Sequence, residues 1–464
     1  MKLAFLGAAS GEVTGSAYHL QTDAAQVMVD FGLFQGGRAA DRANRTKALG
    51  RAADLDAVLV THAHLDHTGR LPLLARAGYR GPIFCTDATR ELTGLILRDS
   101  AHVQAQDLAR INRRRERAGE PLLEVLYTPA DVDRIMSRFR PVEYGQTVPV
   151  APGIQARFVD AGHLLGSACI ELVVKDGGRQ RTLVFSGDLG RKNTPMLRDP
   201  VGFPKADVVL LESTYGNREH KALDTTAAEF ETIVTEAVAR RSKILVPTFA
   251  VGRAQLMLYL LAVMFRNRTV PPFPVYIDSP MAIEATRICS RHLDLYDEDF
   301  QALQRQKPLV ADLASVRALA TAEESRKLND CEGPCLILAG SGMCTAGRIL
   351  HHLKQNLWRP GTSVIFVGFQ TQGTLGRQLV DGAQSVKVMG ERIAVRARVY
   401  TLGGFSAHAG QSELLSWFSS MAASRPRLII THGEDEARQA LAARVRERFG
   451  LSSTLPEVGT VLEL

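Results

Sequence analysis

Short apolar runs that end in Gly, Ser, Asp or His recur along the chain, the pattern expected of strands that deliver polar groups at their carboxyl ends. Ala57–Val60 leads into Thr61-His62, Leu183–Phe185 into Ser186-Gly187-Asp188, and Leu428–Ile430 into Thr431-His432. Each run stops at a candidate ligand. Between Asp224 and Arg240, residues Ala227, Phe230, Ile233, Val234, Ala237 and Val238 keep the i, i+3, i+4 spacing of one helix face. Apolar runs flank that helix at Val208–Leu211 and Ile244–Val246, which predicts a strand–helix–strand unit of a parallel sheet. The alternation continues through Val251–Phe265, Val275–Ile277, Cys335–Ala339 and Ser363–Val367, so the middle of the chain is expected to form an α/β domain of its own.

Length and composition narrow this picture. The 464 residues allow roughly two to four domains of ~100–200 residues. An apolar fraction of 45% with 23% charged residues is that of a folded globular chain, which sets disorder aside. The formal net charge of +7 favours a polyanionic partner, nucleic acid or an acidic membrane surface. Cys85, Cys169, Cys289, Cys331, Cys335 and Cys344 are irregularly spaced beside apolar residues and read as reduced core thiols. Cys331 and Cys335 are half of a zinc pattern, but no second pair follows. The apolar start Met1–Gly7 is too short for a secretory core, and no window approaches the ~20 apolar residues that span a bilayer. No membrane association and a cytoplasmic location are therefore expected. The strongest charge run, residues 110–117, is expected to follow a helix, either touching phosphate or forming a solvated helix end.

The densest chemistry is His62, His64, Asp66 and His67, four metal-competent side chains within six residues directly after an apolar run. In an extended segment i and i+2 point the same way, so His62 and His64 can grip one ion, while Asp66 and His67 reach a second beyond the turn. Imidazole and carboxylate at this density suit zinc or another divalent transition metal. A catalytic ion needs about three protein ligands, so others must come from elsewhere. Asp160-Ala161-Gly162-His163 and Ser186-Gly187-Asp188 supply a histidine and a carboxylate on glycine-containing loops.

In this order, Asp30 in Val29-Asp30-Phe31-Gly32, the His62–His67 cluster, His163 and Asp188 resemble motifs one to four of the metallo-β-lactamase superfamily. The resemblance implies that His62, His64 and His163 hold one Zn²⁺, that Asp66 and His67 hold a second, and that Asp188 bridges them. It also implies that Asp30 orients ligands by hydrogen bonding and that a hydroxide between the two metals is the nucleophile.

Three further segments resemble motifs A, B and C of the β-CASP nucleases: Leu211-Glu212-Ser213-Thr214-Tyr215-Gly216, Phe405-Ser406-Ala407-His408-Ala409-Gly410 and Thr431-His432-Gly433-Glu434. By that resemblance Glu212 orients His408, which with Asp66 completes the catalytic set, and His432 completes the second metal. A histidine at motif C is typical of RNA-acting members. The blocks Val246–Gln255, Asp278–Ala282, Gly340–Cys344 with Arg348, and Gly368–Thr374 are similar to those of bacterial and archaeal relatives of the cleavage and polyadenylation specificity factor endonuclease subunit. There Arg253, Ser279, Ser341, Arg348 and Thr374 are candidate phosphate contacts, with helix capping as the alternative.

The fold implied is an α/β one: a metallo-β-lactamase αββα sandwich formed by 1–214 and 396–464, with an α/β β-CASP domain, 215–395, inserted between. The function implied is a zinc-dependent ribonuclease of single-stranded RNA, endonucleolytic and compatible with 5′-exonuclease action. A DNA nuclease or other hydrolase of this fold and a non-catalytic RNA-processing subunit are the rival readings. A homodimer is compatible with the sequence.

Overall fold

In the computed structural model, which describes residues 1–45 and 52–464, the chain divides into two compact units. The first comprises Met1–Lys192, Arg198–Glu219 and His408–Leu464; the second comprises Asn193–Leu197 and His220–Ala407.

The first unit is built on two seven-stranded sheets. One runs in the order Val461–Glu463, Lys2–Gly7, Ala17–Gln21, Gln26–Val29, Ala57–Leu59, Ile83–Cys85, Phe139–Pro141. The other runs Ser453–Thr454, Arg427–Ile430, Val208–Leu211, Arg179–Phe185, Ala168–Asp176, Ile154–Asp160, Thr147–Ala151. Side chains alternate across a strand, so one face of each sheet can be apolar. Phe5, Leu20, Val27 and Leu59 of the first sheet meet Phe158, Ile170, Leu183 and Phe185 of the second in one buried cluster. The outer face of the first sheet is covered by helices, with Leu71, Leu74, Leu97, Val132 and Ile135 against Val58, Val60 and Ile83. Helices Gln411–Ala422 and Asp435–Phe449 cover the second through Leu414, Trp417, Phe418, Leu441 and Val445. This is the helix–sheet–sheet–helix sandwich.

Each sheet combines antiparallel with parallel pairs. Gln26–Val29, Ala57–Leu59, Ile83–Cys85 and Phe139–Pro141 are parallel, and so are Arg179–Phe185, Val208–Leu211 and Arg427–Ile430. Parallel strands present their carboxyl ends on one side, where open sheets bind ligands.

The second unit holds a six-stranded, wholly parallel sheet in the order Val316–Ala318, Val275–Ile277, Cys335–Ala339, Lys243–Pro247, Thr362–Phe366, Arg398–Thr401. Its central strands are buried throughout, as a parallel sheet covered on both faces requires.

Two local expectations are corrected. The helix predicted between 224 and 240 exists as Leu223–Ala239, but its flanking strands pair in different sheets, Val208–Leu211 in the first unit and Lys243–Pro247 in the second. The apparent strand–helix–strand unit spans the passage from one unit to the other. The arginine run does not follow a helix: it forms the last two turns of the 31-residue helix Asp87–Arg117.

Phe158→Ala removes a fully buried ring from between the two sheets, at an expected cost of about 3–5 kcal/mol. This is read as a lowered urea midpoint for the first unit at unchanged slope. A shift equivalent to less than ~1 kcal/mol would contradict the packing described.

Candidate metal centre

Strand Ala57–Leu59 passes through Val60-Thr61-His62, and the chain then turns into the single-turn helix Leu65–Thr68, which carries Asp66 and His67. That helix lies so close to Gly32 that a Cβ there would sit 1.5 Å from the Asp66 carbonyl oxygen. His163 follows strand Ile154–Asp160 and Asp188 follows Arg179–Phe185. Their loops touch likewise, since a Cβ on Gly190 would sit 1.8 Å from the Gly162 carbonyl oxygen. Glu212 follows Val208–Leu211, His432 follows Arg427–Ile430, and His408 precedes helix Gln411–Ala422. All these residues belong to the first unit.

Two donor sets result. In one, His64 Nδ1 lies 3.1 Å from both His62 Nε2 and His163 Nε2, while Asp188 Oδ2 is 3.4 Å from His62 Nε2 and 3.7 Å from His163 Nε2. In the other, His67 Nε2 lies 3.2 Å from His432 Nε2 and 3.2 Å from Asp188 Oδ1, with Asp66 Oδ2 3.6 Å from His432 Nε2. The candidate ligand atoms within each of the groups His62/His64/His163/Asp188 and Asp66/His67/His432 all lie within 4.8 Å of one another. A tetrahedral ion with bonds of 2.0–2.1 Å separates its ligands by about 3.3 Å, so the observed spacings fit one.

The hydrogen bonds behind the rings explain which nitrogens face inward. Asp30, fully buried, accepts from the Thr61 backbone N–H and from Thr61 Oγ1, both at 2.8 Å, and from His67 Nδ1 at 2.8 Å. With its one proton given to Asp30, the Thr61 hydroxyl accepts from His62 Nδ1 at 3.1 Å. In the neutral form of each ring Nδ1 carries the proton, which turns the Nε2 lone pair toward Asp188. Lone pair then faces lone pair, and Asp188 Oδ1 is buried without a hydrogen-bond donor. A cation between these groups resolves that arrangement.

Electrostatics agree. Burial favours a neutral Asp188, yet His432, His67 and His62 outweigh it and hold the carboxyl well below its usual range. Burial also opposes charge on His67, but Asp188 and Asp30 push it well above its ordinary value. His62 goes the other way, lowered chiefly by burial. The carboxylates of Asp188 and Asp30 draw positive charge to their side of the centre, which a proton on His67 or a bound cation can supply.

Glu212 and His408 form a second layer beside Asp188. Glu212 is almost fully buried and held by the Leu189 and Thr214 backbone N–H groups, each at 2.9 Å, with His408 Nδ1 at 3.2 Å. Burial disfavours charging His408, but Glu212, Asp188 and Asp66 overcome it and raise its pKa to about 9. With Nδ1 on Glu212, His408 has Nε2–H free to meet another group.

Several contributors carry no mark in the sequence pattern. Thr61 joins the Asp30, His62 and His67 side chains, and Thr214 Oγ1 lies 3.1 Å from His432 Nδ1. A threonine adjoining each motif was the available signal. Arg70, 1% exposed, donates to the carbonyls of Gly32 and Gly15 and lies over the rings of Phe31 and Phe34 at 4.4 and 4.6 Å. Asp30 and His432 take φ of +57° and +51°, values uncommon for residues other than glycine.

The expected phosphate contacts all fall in the second unit. Ser279 and Thr374 cap helices Pro280–Cys289 and Leu375–Val380, accepting from Ala282 and Arg377 N–H. Ser341 Oγ accepts from the Thr345 and Ala346 N–H groups. Arg348 pairs with the buried Asp278 at 2.7 Å and donates to the Leu319 and Ala320 carbonyls. Arg253 begins helix Arg253–Arg266.

Comparison with known proteins adds the family context. Residues 29–248 match the family described as Beta-lactamase superfamily domain, residues 254–379 the Beta-Casp domain, and residues 392–456 the Zn-dependent metallo-hydrolase RNA specificity domain. The chain is 41% identical over 443 residues to Ribonuclease TTHA0252 of Thermus thermophilus, covering 95% of each. It is 32% identical to Transcription termination factor FttA of Methanocaldococcus jannaschii, over 98% of this chain and 70% of that protein. A crystal structure of a protein of unknown function from Enterococcus faecalis V583 shares the fold, with a TM-score of 0.55 at 12% identity, over 100% of this chain and 99% of that one.

Thr214→Val should weaken metal binding at the Asp66/His67/His432 group by about 10–100-fold, because the ring loses the partner that orients it; Thr214→Ser should restore it. Calorimetric titration of metal-depleted protein with Zn²⁺ measures both. Equal affinity in the valine variant and the parent would remove Thr214 from this role.

Proposed function

The chain belongs to the β-CASP ribonuclease family and is a metal-dependent hydrolase, and from that premise we propose that it cuts single-stranded RNA at a centre of two zinc ions. The observation that carries this reading is the pair of donor sets that adjoin the two oxygens of Asp188, with the Glu212–His408 pair beside them. His62, His64, His163 and Asp188 would hold one ion, and Asp66, His67 and His432, with Asp188 beside them, the other. Imidazole and carboxylate ligands suit zinc, and the match to a Zn-dependent metallo-hydrolase RNA specificity domain supports that choice. When bound, such ions lower the pKa of water toward neutrality and take up charge on a phosphoryl group.

The remaining work falls to the chain's own side chains. Glu212 fixes His408 through Nδ1, so that Nε2–H meets the phosphate or gives a proton to the departing oxygen. Attack on phosphorus with loss of the ribose 3′ oxygen leaves a 3′-hydroxyl and a 5′-phosphate. Asp30 and Thr61 keep His62 and His67 turned inward throughout. Phosphate contact by Arg253, Ser279, Ser341, Arg348 and Thr374 belongs to the same reading, although Ser279 and Thr374 already cap helices and Arg348 is committed to Asp278. The net charge of +7 favours a polyanionic substrate, and a flexible single strand conforms to a site more readily than a stacked duplex. Cutting in this reading is endonucleolytic and compatible with 5′-exonuclease action.

A 5′-labelled RNA oligomer, incubated with and without chelator and resolved by length over time, tests the reading. Internal fragments that vanish with chelator are expected; a mononucleotide ladder from the outset would make the enzyme an exonuclease, and comparable cutting of duplex RNA or of DNA would overturn the substrate choice. His408→Ala should reduce cleavage by about 10²–10⁴-fold with two metals still bound, whereas His432→Ala should lower metal content. Elemental analysis of both variants separates the two roles: metal loss in the first, or full occupancy in the second, contradicts the assignment.

A further inference from the structure

Helix Asp87–Arg117 is much longer than its packing requires. Its start is fixed to the metal centre: the Thr86 and Thr89 hydroxyls donate to the Gly166 carbonyl at 2.6 and 2.7 Å, on the loop that carries His163. Beyond Ala101 no residue of the helix is buried. The exposed part is an arm of four turns, and Arg110, Arg113, Arg114 and Arg117 lie along one side of it at i, i+3, i+4 and i+7. The other side is occupied. Asn112 exchanges two hydrogen bonds of 2.9 Å with the backbone of Leu123, and Arg115 bonds to the Pro121 carbonyl and to Glu120. The returning segment thus braces the arm while leaving the arginine side open.

Ordinary helix chemistry does not account for the stripe. Favourable interaction with the helix dipole is confined to the last turn, whereas these four residues span two. The pairs Arg110/Arg114 and Arg113/Arg117 stand at i, i+4, where like charges destabilise a helix. Arg110 is paired with Asp107 at 2.7 Å and Arg113 turns back to the Ala109 carbonyl; Arg114 and Arg117 have no ion-pair partner among the described residues. A polyanion along the stripe relieves that repulsion.

We propose that this stripe is a docking strip for the phosphate backbone of the RNA substrate, engaged at a distance from the point of cutting. The proposal rests on the ribonuclease reading. From Thr89 to Arg110–Arg117 is 21–28 residues, or about 32–42 Å of helix, close to ten stacked nucleotides at ~3.4 Å each. A stacked strand needs about that length to run from the helix start to the stripe, so the effect of the stripe depends on substrate length.

The test compares the full-length, zinc-loaded protein with R110Q/R113Q/R114Q/R117Q on single-stranded RNAs of about 6 and about 30 nucleotides, chosen either side of that span. For the long RNA the variant should show a KM raised at least ~10-fold with kcat unchanged, and a logarithmic salt slope of binding shallower by up to ~0.7 for each phosphate no longer neutralised. For the short RNA both parameters should stay those of the parent. Equal KM on the long RNA overturns the proposal, and so does an equal rise on both lengths, which would indicate general loss of positive charge. Fluorescence anisotropy of the same RNAs on metal-depleted protein reads the stripe without cleavage. If the parent binds the long RNA better than the variant yet cuts neither length, the ribonuclease reading fails while the docking strip stands.

Discussion

The Asp188 carboxylate, 2% exposed, is the group around which the first unit is organised. Its two oxygens face different sets of histidines, His62 and His163 on one side and His67 on the other, and Oδ1 has no hydrogen-bond donor. A buried, uncompensated carboxylate costs several kcal/mol, so positive charge beside it, on the histidines or on a bound cation, stabilises this geometry. Because one carboxylate serves both sets, the two sets must adjoin. That in turn requires side chains from distant strands to arrive at one spot. Parallel strands achieve it by ending together, and glycine at positions 32 and 190 lets their loops close to distances no side chain would permit. The sandwich core holds the strand ends; it is the support for this one buried charge.

How much of this was legible in the sequence follows from how local each feature is. His62, His64, Asp66 and His67 lie within six residues, and the alternation of strand and turn settles where they point. The helix at 223–239 and the strands around it were legible from periodicity, but their pairing was not, because nothing in an apolar run says which sheet it joins. Likewise His64 and His163 are 99 residues apart and His67 and His432 are 365 apart. No spacing rule links them, and only the likeness of whole motifs to a known family associates them before the fold is seen. Thr61 and Thr214 escaped for a different reason. A hydroxyl becomes an orienting group only once the ring beside it has a definite rotamer, and that is a property of packing. Arg70 is the extreme case: an arginine beside a metal cluster reads as surface charge, yet it is buried beneath two phenylalanine rings.

Motif A illustrates how closely orientation and chemistry are joined. Glu212 and Thr214 are two residues apart at the end of one strand, and the Thr214 N–H donates to Glu212 while its hydroxyl meets His432. One short segment therefore sets the position of His408 through the carboxylate and the position of His432 through the hydroxyl. A displacement of this strand end would disturb both at once. The Ser213 hydroxyl donates to the Thr431 carbonyl at 2.8 Å, which fastens motif A directly to the segment before His432.

The backbone at His432 and Asp30 shows what this arrangement costs the fold. Both residues occupy left-handed conformations, each unfavourable by roughly 1–3 kcal/mol. Each is held by bonds that leave it no choice. The His432 N–H donates to the Ala8 carbonyl and its own carbonyl accepts from Ser213, while Asp30 is fixed by its N–H on Leu59 and by the three donors on its carboxylate. Strain of this kind persists only where the surroundings over-determine it. Here the same bonds that impose the strained backbone also bring Nε2 of His67 to Asp188 and Nε2 of His432 to Asp66 and His67. The conformational cost and the donor geometry therefore have one cause, and neither can be relaxed without giving up the other.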